Sequence, residues 1–158
     1  MEPIRNLIRR AAPVAAGIVV FGAALVIVPG KAKEPDPTAV SVTLPDKIDW
    51  HKGEASDQVM VQGDPSKPGV YIQLLRWHAG HMSRPHYHST DRYITVLSGT
   101  WWIGTGHKYD PASTYPVSAG TYVVDHAGGV HYDGAKDADC VLEIVGTGPM
   151  TTTGAEEK

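Results

Sequence analysis

From residue 39 onward the chain is a succession of short strand-like runs, and this pattern limits the possible folds more than any other feature. The runs are rich in Val, Ile, Tyr, Trp and Thr and are bounded by Gly, Pro, Asp and Ser. Helical periodicity is hard to find in this region, so the pattern predicts a single all-β sandwich or barrel. The segment LSGTW, between two runs, predicts a tight hairpin that turns at Gly99. The clearest runs span residues 70–78, 92–99, 100–106, 120–125 and 140–146, and weaker ones span 39–44 and 57–63.

The first 32 residues have the composition of a secretory signal or a membrane anchor. Arg5, Arg9 and Arg10 precede residues 11–30, which carry no charge and are nearly long enough to cross a bilayer. Residues 33–38 contain two prolines and predict a short stiff linker. The folded domain is then expected over residues 39–150, followed by a flexible polar tail at 151–158. Either interpretation of the N-terminus places the domain outside the cytoplasm, in a periplasmic or other extracytoplasmic space.

The chain beyond residue 32 is acidic and contains one cysteine. It has 10 lysines and arginines against 16 aspartates and glutamates, a formal charge of −6. Such a charge does not attract nucleic acid or anionic lipid. Cys140 is the only cysteine in the sequence, so no intramolecular disulfide can form. Its surroundings, DCVLEIVG, are apolar and predict a buried packing residue.

Two of the eight histidines, His86 and His88, are separated by a single residue. Residues i and i+2 of a strand point to the same face, so both imidazoles are expected to project together. Two imidazoles at that separation suit one divalent ion, with metal–nitrogen distances of about 2.0–2.1 Å for zinc. The spacing therefore predicts a metal site. Three other histidines are expected to be surface or hydrogen-bonded residues: His51, His78 and His107.

Two longer stretches around the histidines resemble the two motifs of the cupin superfamily. Residues 80–99, GHMSRPHYHSTDRYITVLSG, resemble the first motif, in which a glycine, two histidines, a glutamate and a second glycine follow at set spacings. Residues 120–131, GTYVVDHAGGVH, resemble the second motif, which contains one histidine. The resemblance implies a small antiparallel double-stranded β-helix, or jelly-roll, barrel. It also implies one divalent transition metal, held by His86, His88, His131 and the residue at the glutamate position.

Arg92 occupies that glutamate position, and a guanidinium stays protonated and cannot ligate a metal. Three interpretations follow. In the first, His86, His88 and His131 form the site, and Arg92 lies at the pocket mouth, where it binds an anionic substrate. In the second, Asp91 turns inward as the carboxylate ligand. In the third, the barrel binds or signals without a metal.

Two more residues near the second motif are candidates for a role in the site. His126 stands where the motif has a proline, and with Arg92 it is a candidate catalytic residue. It is interpreted as a ligand, as a proton shuttle titrating near neutral pH, or as a solvated loop residue. Asp133 is spaced to share a face with His131, so it is expected to accept a hydrogen bond from an imidazole N–H in the second shell of the metal.

These features predict an exported metal-dependent cupin enzyme that acts on a small anionic molecule. The reaction is of oxygenase, decarboxylase, isomerase or lyase type, and Fe, Zn, Cu, Ni and Mn all remain open as the metal. The alternative is a non-catalytic cupin module that captures a small molecule or a metal. The resemblance also implies a homodimer.

The export prediction can be tested with a tag at the C-terminus of the chain. The tagged protein should be recovered outside the cytoplasm, because the basic and apolar N-terminus is an export signal. Immunoblotting of cell fractions should find it either shortened by about 32 residues or attached to the membrane. Full-length soluble protein in the cytoplasm would contradict the prediction.

Overall fold

The structure is a computed structural model that describes residues 32–158, and Thr43–Lys158 form one compact unit. The signal or anchor predicted for the N-terminus falls almost wholly on residues 1–31, outside the described part. Between residues 32 and 158 no helix has the length and apolar composition needed to cross a membrane. The compact unit has ten strands: β1 (Ser56–Gln62), β2 (Gly69–Trp77), β3 (His86–His88), β4 (Arg92–Ser98), β5 (Thr100–Thr105), β6 (Tyr115–Ser118), β7 (Tyr122–Asp125), β8 (His131–Gly134), β9 (Cys140–Gly148) and β10 (Thr152–Gly154).

The ten strands form two five-stranded antiparallel sheets. The first has the order β1-β2-β9-β4-β7, and the second has the order β10-β3-β8-β5-β6. Strands far apart in sequence are neighbours, such as β2 with β9 and β4 with β7, because the chain passes repeatedly from one sheet to the other. This is a double-stranded β-helix. The predicted all-β fold class is confirmed, although the weak run at 39–44 forms no strand.

The turn at Gly99 connects β4 in the first sheet to β5 in the second, so the predicted hairpin is wrong. Gly99 has the expected positive φ, 76°. The two strands that it joins pair elsewhere, β4 with β7 and β9, and β5 with β6 and β8. A Cβ at this position would also lie 2.9 Å from the Cα of Cys140. Glycine is required both by the backbone angle and by this close approach of two chain segments.

Alternation along the strands places the core between the two sheets. Cys140 is fully buried, as predicted, and burial raises the pKa of its thiol to about 12. Trp101 is buried, whereas the adjacent Trp102 faces outward and packs against the Nζ of Lys136. The buried apolar side chains are Tyr71, Ile94, Val96, Trp101, Ala135, Cys140, Leu142 and Ile144.

The C-terminal segment belongs to the fold, which corrects the prediction of a flexible tail at 151–158. Residues 152–154 form β10 and pair with all three residues of β3. After it, Arg84 forms an ion pair with Glu156, and the amide of Glu157 donates to the carbonyl oxygen of His107. The β-branched run Thr151–Thr153 is the local signal that could have predicted this strand.

Gly146 gives a prediction about packing beside the site. It lies opposite Tyr71 in the β2–β9 pair, and a Cβ at this position would lie 2.5 Å from the Cζ of the fully buried Tyr71 ring. Gly146→Ala should therefore lower the free energy of unfolding by about 1–3 kcal/mol, as overpacking does. Gly154→Ala is the matched control, because its Cβ would meet open space. Urea unfolding that finds equal stabilities for the two variants would refute the close packing of Tyr71 on Gly146.

Candidate metal centre

Three histidine side chains meet inside the barrel: His86 and His88 from β3, and His131 from β8. His86 and His131 are direct cross-strand partners, and His88 is two residues from His86 on the same face of β3. One ring nitrogen from each side chain lies within 4.8 Å of the other two. These three histidines could hold a metal ion, as the sequence predicted.

The ring nitrogens on the far side of each imidazole are held by the protein. Nδ1 of His86 donates to the carbonyl oxygen of Arg84 at 2.8 Å, and Nδ1 of His131 donates to that of Gly129 at 3.0 Å. A carbonyl oxygen only accepts, so Nδ1 carries a proton in both rings, and Nε2 is the nitrogen that a metal would bind. Nδ1 of His88 forms a hydrogen bond with Oγ1 of Thr152 at 2.9 Å, and this contact depends on β10.

Two of the three inward nitrogens are buried without a hydrogen-bond partner in the described part of the chain, which is costly unless something binds them. Nε2 of His88 and Nε2 of His131 have no hydrogen-bond partner among the described residues. Burial, reinforced by the positive charge of Arg92, lowers the pKa of His88 to about 2. Burial also lowers the pKa of His86. A lowered pKa favours the neutral imidazole in His86 and His88, which is the form that ligates a metal.

Arg92 points into the barrel and forms a buried ion pair with Asp125. It begins β4 and shares the inner face with Ile94 and Val96, as the alternation predicted. Nη2 and Nε of Arg92 donate to Oδ2 of Asp125, at 2.5 and 3.2 Å. The two residues are cross-strand partners in the β4–β7 pair, and each is less than 10 % exposed. Arg92 thus lines the cavity with its charge already paired, whereas the sequence predicted it at the pocket mouth facing an anion.

Asp125 was not among the predicted site residues, and it lies close to the histidines. Its Oδ2 is 3.4 Å from Nε2 of His131. The available signal was the alternation in YVVD, which places Asp125 on the same face as Val123. That signal does not reveal the partner, because the pairing of β4 with β7 joins residues 33 positions apart.

Asp133 lies near His131, on the face that its spacing predicted, but it is held mainly by tryptophans. Its Oδ1 accepts hydrogen bonds from Nε1 of Trp77 and Nε1 of Trp101, both at 2.9 Å. Its Oδ2 lies 3.4 Å from Oγ of Ser83 and 3.8 Å from Nε2 of His131. Since Nδ1 of His131 donates to Gly129, Asp133 faces the metal side of that imidazole and does not accept its N–H.

The other candidates lie away from the cluster. Asp91 is exposed, and its Oδ1 accepts a hydrogen bond from the amide of Ala127 at 2.7 Å. His126 is exposed in the turn after β7 and does not line the cavity. His78 and His107 are hydrogen-bonded, to Asp57 and to the carbonyl oxygen of Ala155, and His51 is exposed, as predicted for all three.

A cavity of about 410 Å³ opens beside the histidines. His86, His88, Arg92 and Asp133 form its polar end. Gln58 and Gln73 also line the cavity, and Nε2 of Gln73 donates to Oε1 of Gln58 at 2.8 Å. The remaining wall is mostly apolar: Met60, Pro65, Leu75, Trp77, Ile144 and Met150, with Ser56, Ser83 and Thr152. A small molecule that fills this space would contact His86 and His88 of the histidine cluster.

Comparison with known proteins identifies the fold. No family sequence model matches the chain, and no curated protein matches it in sequence. The polyketide cyclase RemF from Streptomyces resistomycificus is similar in structure, with a TM-score of 0.63 and 12 % identity over 75 % of this chain and 87 % of RemF. A double-stranded β-helix protein from Klebsiella pneumoniae has a TM-score of 0.58 and 16 % identity, over 75 % of this chain and 99 % of its own.

A sugar phosphate isomerase of the cupin superfamily from Silicibacter pomeroyi is also similar, with a TM-score of 0.52 and 19 % identity. The match covers 65 % of this chain and 67 % of the isomerase. At these identities the likeness concerns the fold alone. Both stretches that resemble cupin motifs lie on this fold, and their histidines come together inside the barrel. The chain therefore has the fold of the cupin superfamily, as its two motifs predicted.

Proposed function

We propose that this protein is an exported metal-dependent enzyme that acts on a small molecule bound in the barrel. The observation that carries the proposal is the convergence of His86, His88 and His131, with their outer nitrogens anchored and two of their inner nitrogens buried without a partner. Three converging imidazoles fit a divalent transition metal and leave coordination positions open. Such an ion supplies Lewis acidity, an activated water or, if redox-active, oxygen chemistry.

The cavity supports a small substrate with one charged end and one largely apolar body. Trp77, Leu75 and Ile144 offer apolar contact surface, and the amides of Gln58 and Gln73 offer hydrogen bonds to a polar group. These residues would bind and orient the substrate and exclude water from the histidine end. A cavity of this size accommodates a metabolite rather than a macromolecule.

We still propose an anionic substrate, but the attraction comes from a bound metal ion rather than from Arg92, which the sequence predicted. The charge of Arg92 is balanced by Asp125, and Asp133 adds one further negative charge. A bound divalent ion would then leave the polar end of the cavity with one net positive charge. That charge, in a partly desolvated site, favours an anionic group such as a carboxylate.

The similar structures favour an enzyme over a non-catalytic binding module. Two of them, a polyketide cyclase and a sugar phosphate isomerase, are enzymes on small organic molecules. The proposed reactions are isomerisation, elimination, decarboxylation or oxygenation, which a metal ion held by three imidazoles would assist. Trp77 and Asp133 hold the cavity wall through their hydrogen bond, so that the substrate meets a preformed site.

The proposal predicts the metal content of the purified protein. Prepared without chelator, it should contain close to one transition metal per chain by elemental analysis. His88→Ala should lose most of that metal and remain folded, because the sheets rather than the ion form the core. His51→Ala is the control, since His51 is exposed and distant in the sequence from both motifs. Wild-type protein that binds none of Fe, Zn, Cu, Ni and Mn would overturn the proposed function.

Turnover then separates an enzyme from a binding module. Metal-loaded protein should convert at least one member of a panel of small carboxylates and sugar phosphates, and the His88→Ala variant should not. A metal-loaded protein that binds a member of the panel tightly and leaves it unchanged would favour the module.

The buried neutral histidines also predict how the metal-free protein responds to acid. His88 has a pKa of about 2 when folded and an ordinary value near 6.5 when unfolded. As pH falls below 6.5 the unfolded chain takes up a proton that the folded chain does not, so the free energy of unfolding decreases. Measurements between pH 6.5 and about 5 avoid the carboxylates. The His88→Asn variant should show a shallower slope in this range, by about one proton. Identical slopes for the variant and the wild type would contradict the buried neutral state.

A further inference from the structure

We propose that Asp125 supplies a carboxylate ligand to the metal, and that Arg92 positions it. The inference rests on the proposed function, since it requires a metal at the three histidines. It assigns a role to a residue of β7, outside the motif-one position where the resembled family carries its glutamate. Arg92 stands at that position, so the carboxylate would come from the neighbouring strand of the same sheet.

The distance between Asp125 and His131 is that of two ligands of one ion. Oδ2 of Asp125 lies 3.4 Å from Nε2 of His131, and both atoms belong to buried side chains. In a tetrahedral site with bonds of about 2.1 Å, two ligand atoms are separated by about 3.4 Å. Within residues 32–158, Nε2 of His131 has no hydrogen-bond partner, so this approach is not already a hydrogen bond between the two residues. Asp125 lies outside the group of three histidines whose ligand atoms are all within 4.8 Å of one another, and it approaches that group at His131. A metal held by the three histidines would draw the carboxylate inward and satisfy the nitrogen and the oxygen together.

Asp125 is a better ligand than the second carboxylate near His131. Asp133 lies farther from the imidazole, with its Oδ2 at 3.8 Å. Its Oδ1 already accepts two indole N–H groups, from Trp77 and Trp101, which fix its position.

Arg92 acts as the positioning residue for that carboxylate. Its two hydrogen bonds to Oδ2 of Asp125 hold the carboxylate in place, and ligating carboxylates are commonly held by such hydrogen bonds. The pair has no net charge, so Arg92 does not repel a divalent ion as an unpaired guanidinium would. Arg92 and Asp125 are direct partners in the β4–β7 pair, so the backbone hydrogen bonds of the sheet keep the two side chains together.

A charge-matched double variant tests the inference. Asp125→Asn alone leaves the Arg92 charge buried and unpaired, which endangers folding. The double variant Arg92→Met/Asp125→Asn removes both charges, so the net charge near the three histidines does not change. If Asp125 is a ligand, this variant should bind cobalt(II) on the order of tenfold more weakly than the wild type, or worse still. Titration calorimetry with cobalt(II) alone measures the affinity, and urea unfolding confirms that the variant is folded.

The visible spectrum of bound cobalt(II) gives a second readout that a structural role would not change. Its ligand-field bands should shift in the double variant, because an oxygen ligand is lost. Asp133→Asn is the matched control, since it removes a carboxylate charge close to the same imidazole. It should leave the bands in place. Wild-type affinity and spectrum in the double variant, or an equal spectral change in Asp133→Asn, would overturn the ligand role of Asp125. A wild type that binds no cobalt(II) would instead overturn the proposed function.

Discussion

The buried ion pair between Arg92 and Asp125 is the interaction on which the interior of the barrel depends. Both side chains are almost fully buried, and removing one partner of such a pair typically costs about 3–5 kcal/mol. The pair lies in a row across the first sheet, in which Tyr71 and Arg92 face Gly146 from its two sides. Gly146 leaves space for the Tyr71 ring. The packing of Tyr71 on β2, Gly146 on β9 and Arg92 on β4 therefore holds the charged side chain of Arg92 in its place in the cavity.

Asp133 links this polar end of the cavity to the apolar core. One carboxylate oxygen accepts from two indole rings, Trp77 of the first sheet and Trp101 of the second. The hydrogen bonds join the two sheets beside the histidine cluster, and charge-assisted bonds of this kind are stronger than neutral ones. The same residue thus fixes a wall of the cavity and keeps a negative charge near His131. Structural and chemical roles are combined in one side chain.

The histidine cluster depends on contacts of very different range. The carbonyl groups that orient His86 and His131 are each two residues away along the chain. The partner of His88 is Thr152, 64 residues away, on a strand that closes the edge of the second sheet. Two of the three rings are thus oriented by local backbone, and the third is oriented only when the C-terminal strand pairs with β3. A metal ion that binds all three rings would therefore bind best when β10 is paired with β3.

The sequence by itself determined which face of a strand each side chain occupies and where the chain turns. Alternation placed His86 and His88 on one face, turned Arg92 toward Ile94 and Val96, and separated Trp101 from Trp102, since these relations involve residues one to four positions apart. The two motifs predicted the fold and the meeting of His131 with the other histidines. The corner at Gly99 was mistaken for a hairpin because a positive φ specifies a turn and not which sheet the next strand joins.

Only the tertiary structure decided which side chains became partners across the barrel. Arg92 meets Asp125 because β4 pairs with β7 in one register, and Thr152 meets His88 because β10 adds to the edge of β3. A one-residue change in either register would turn the side chains of a whole strand to the other face. Register is set by the closure of both sheets around a common core, which no short segment contains. The faces of the strands were therefore readable from the sequence, whereas the charge balance of the site was not.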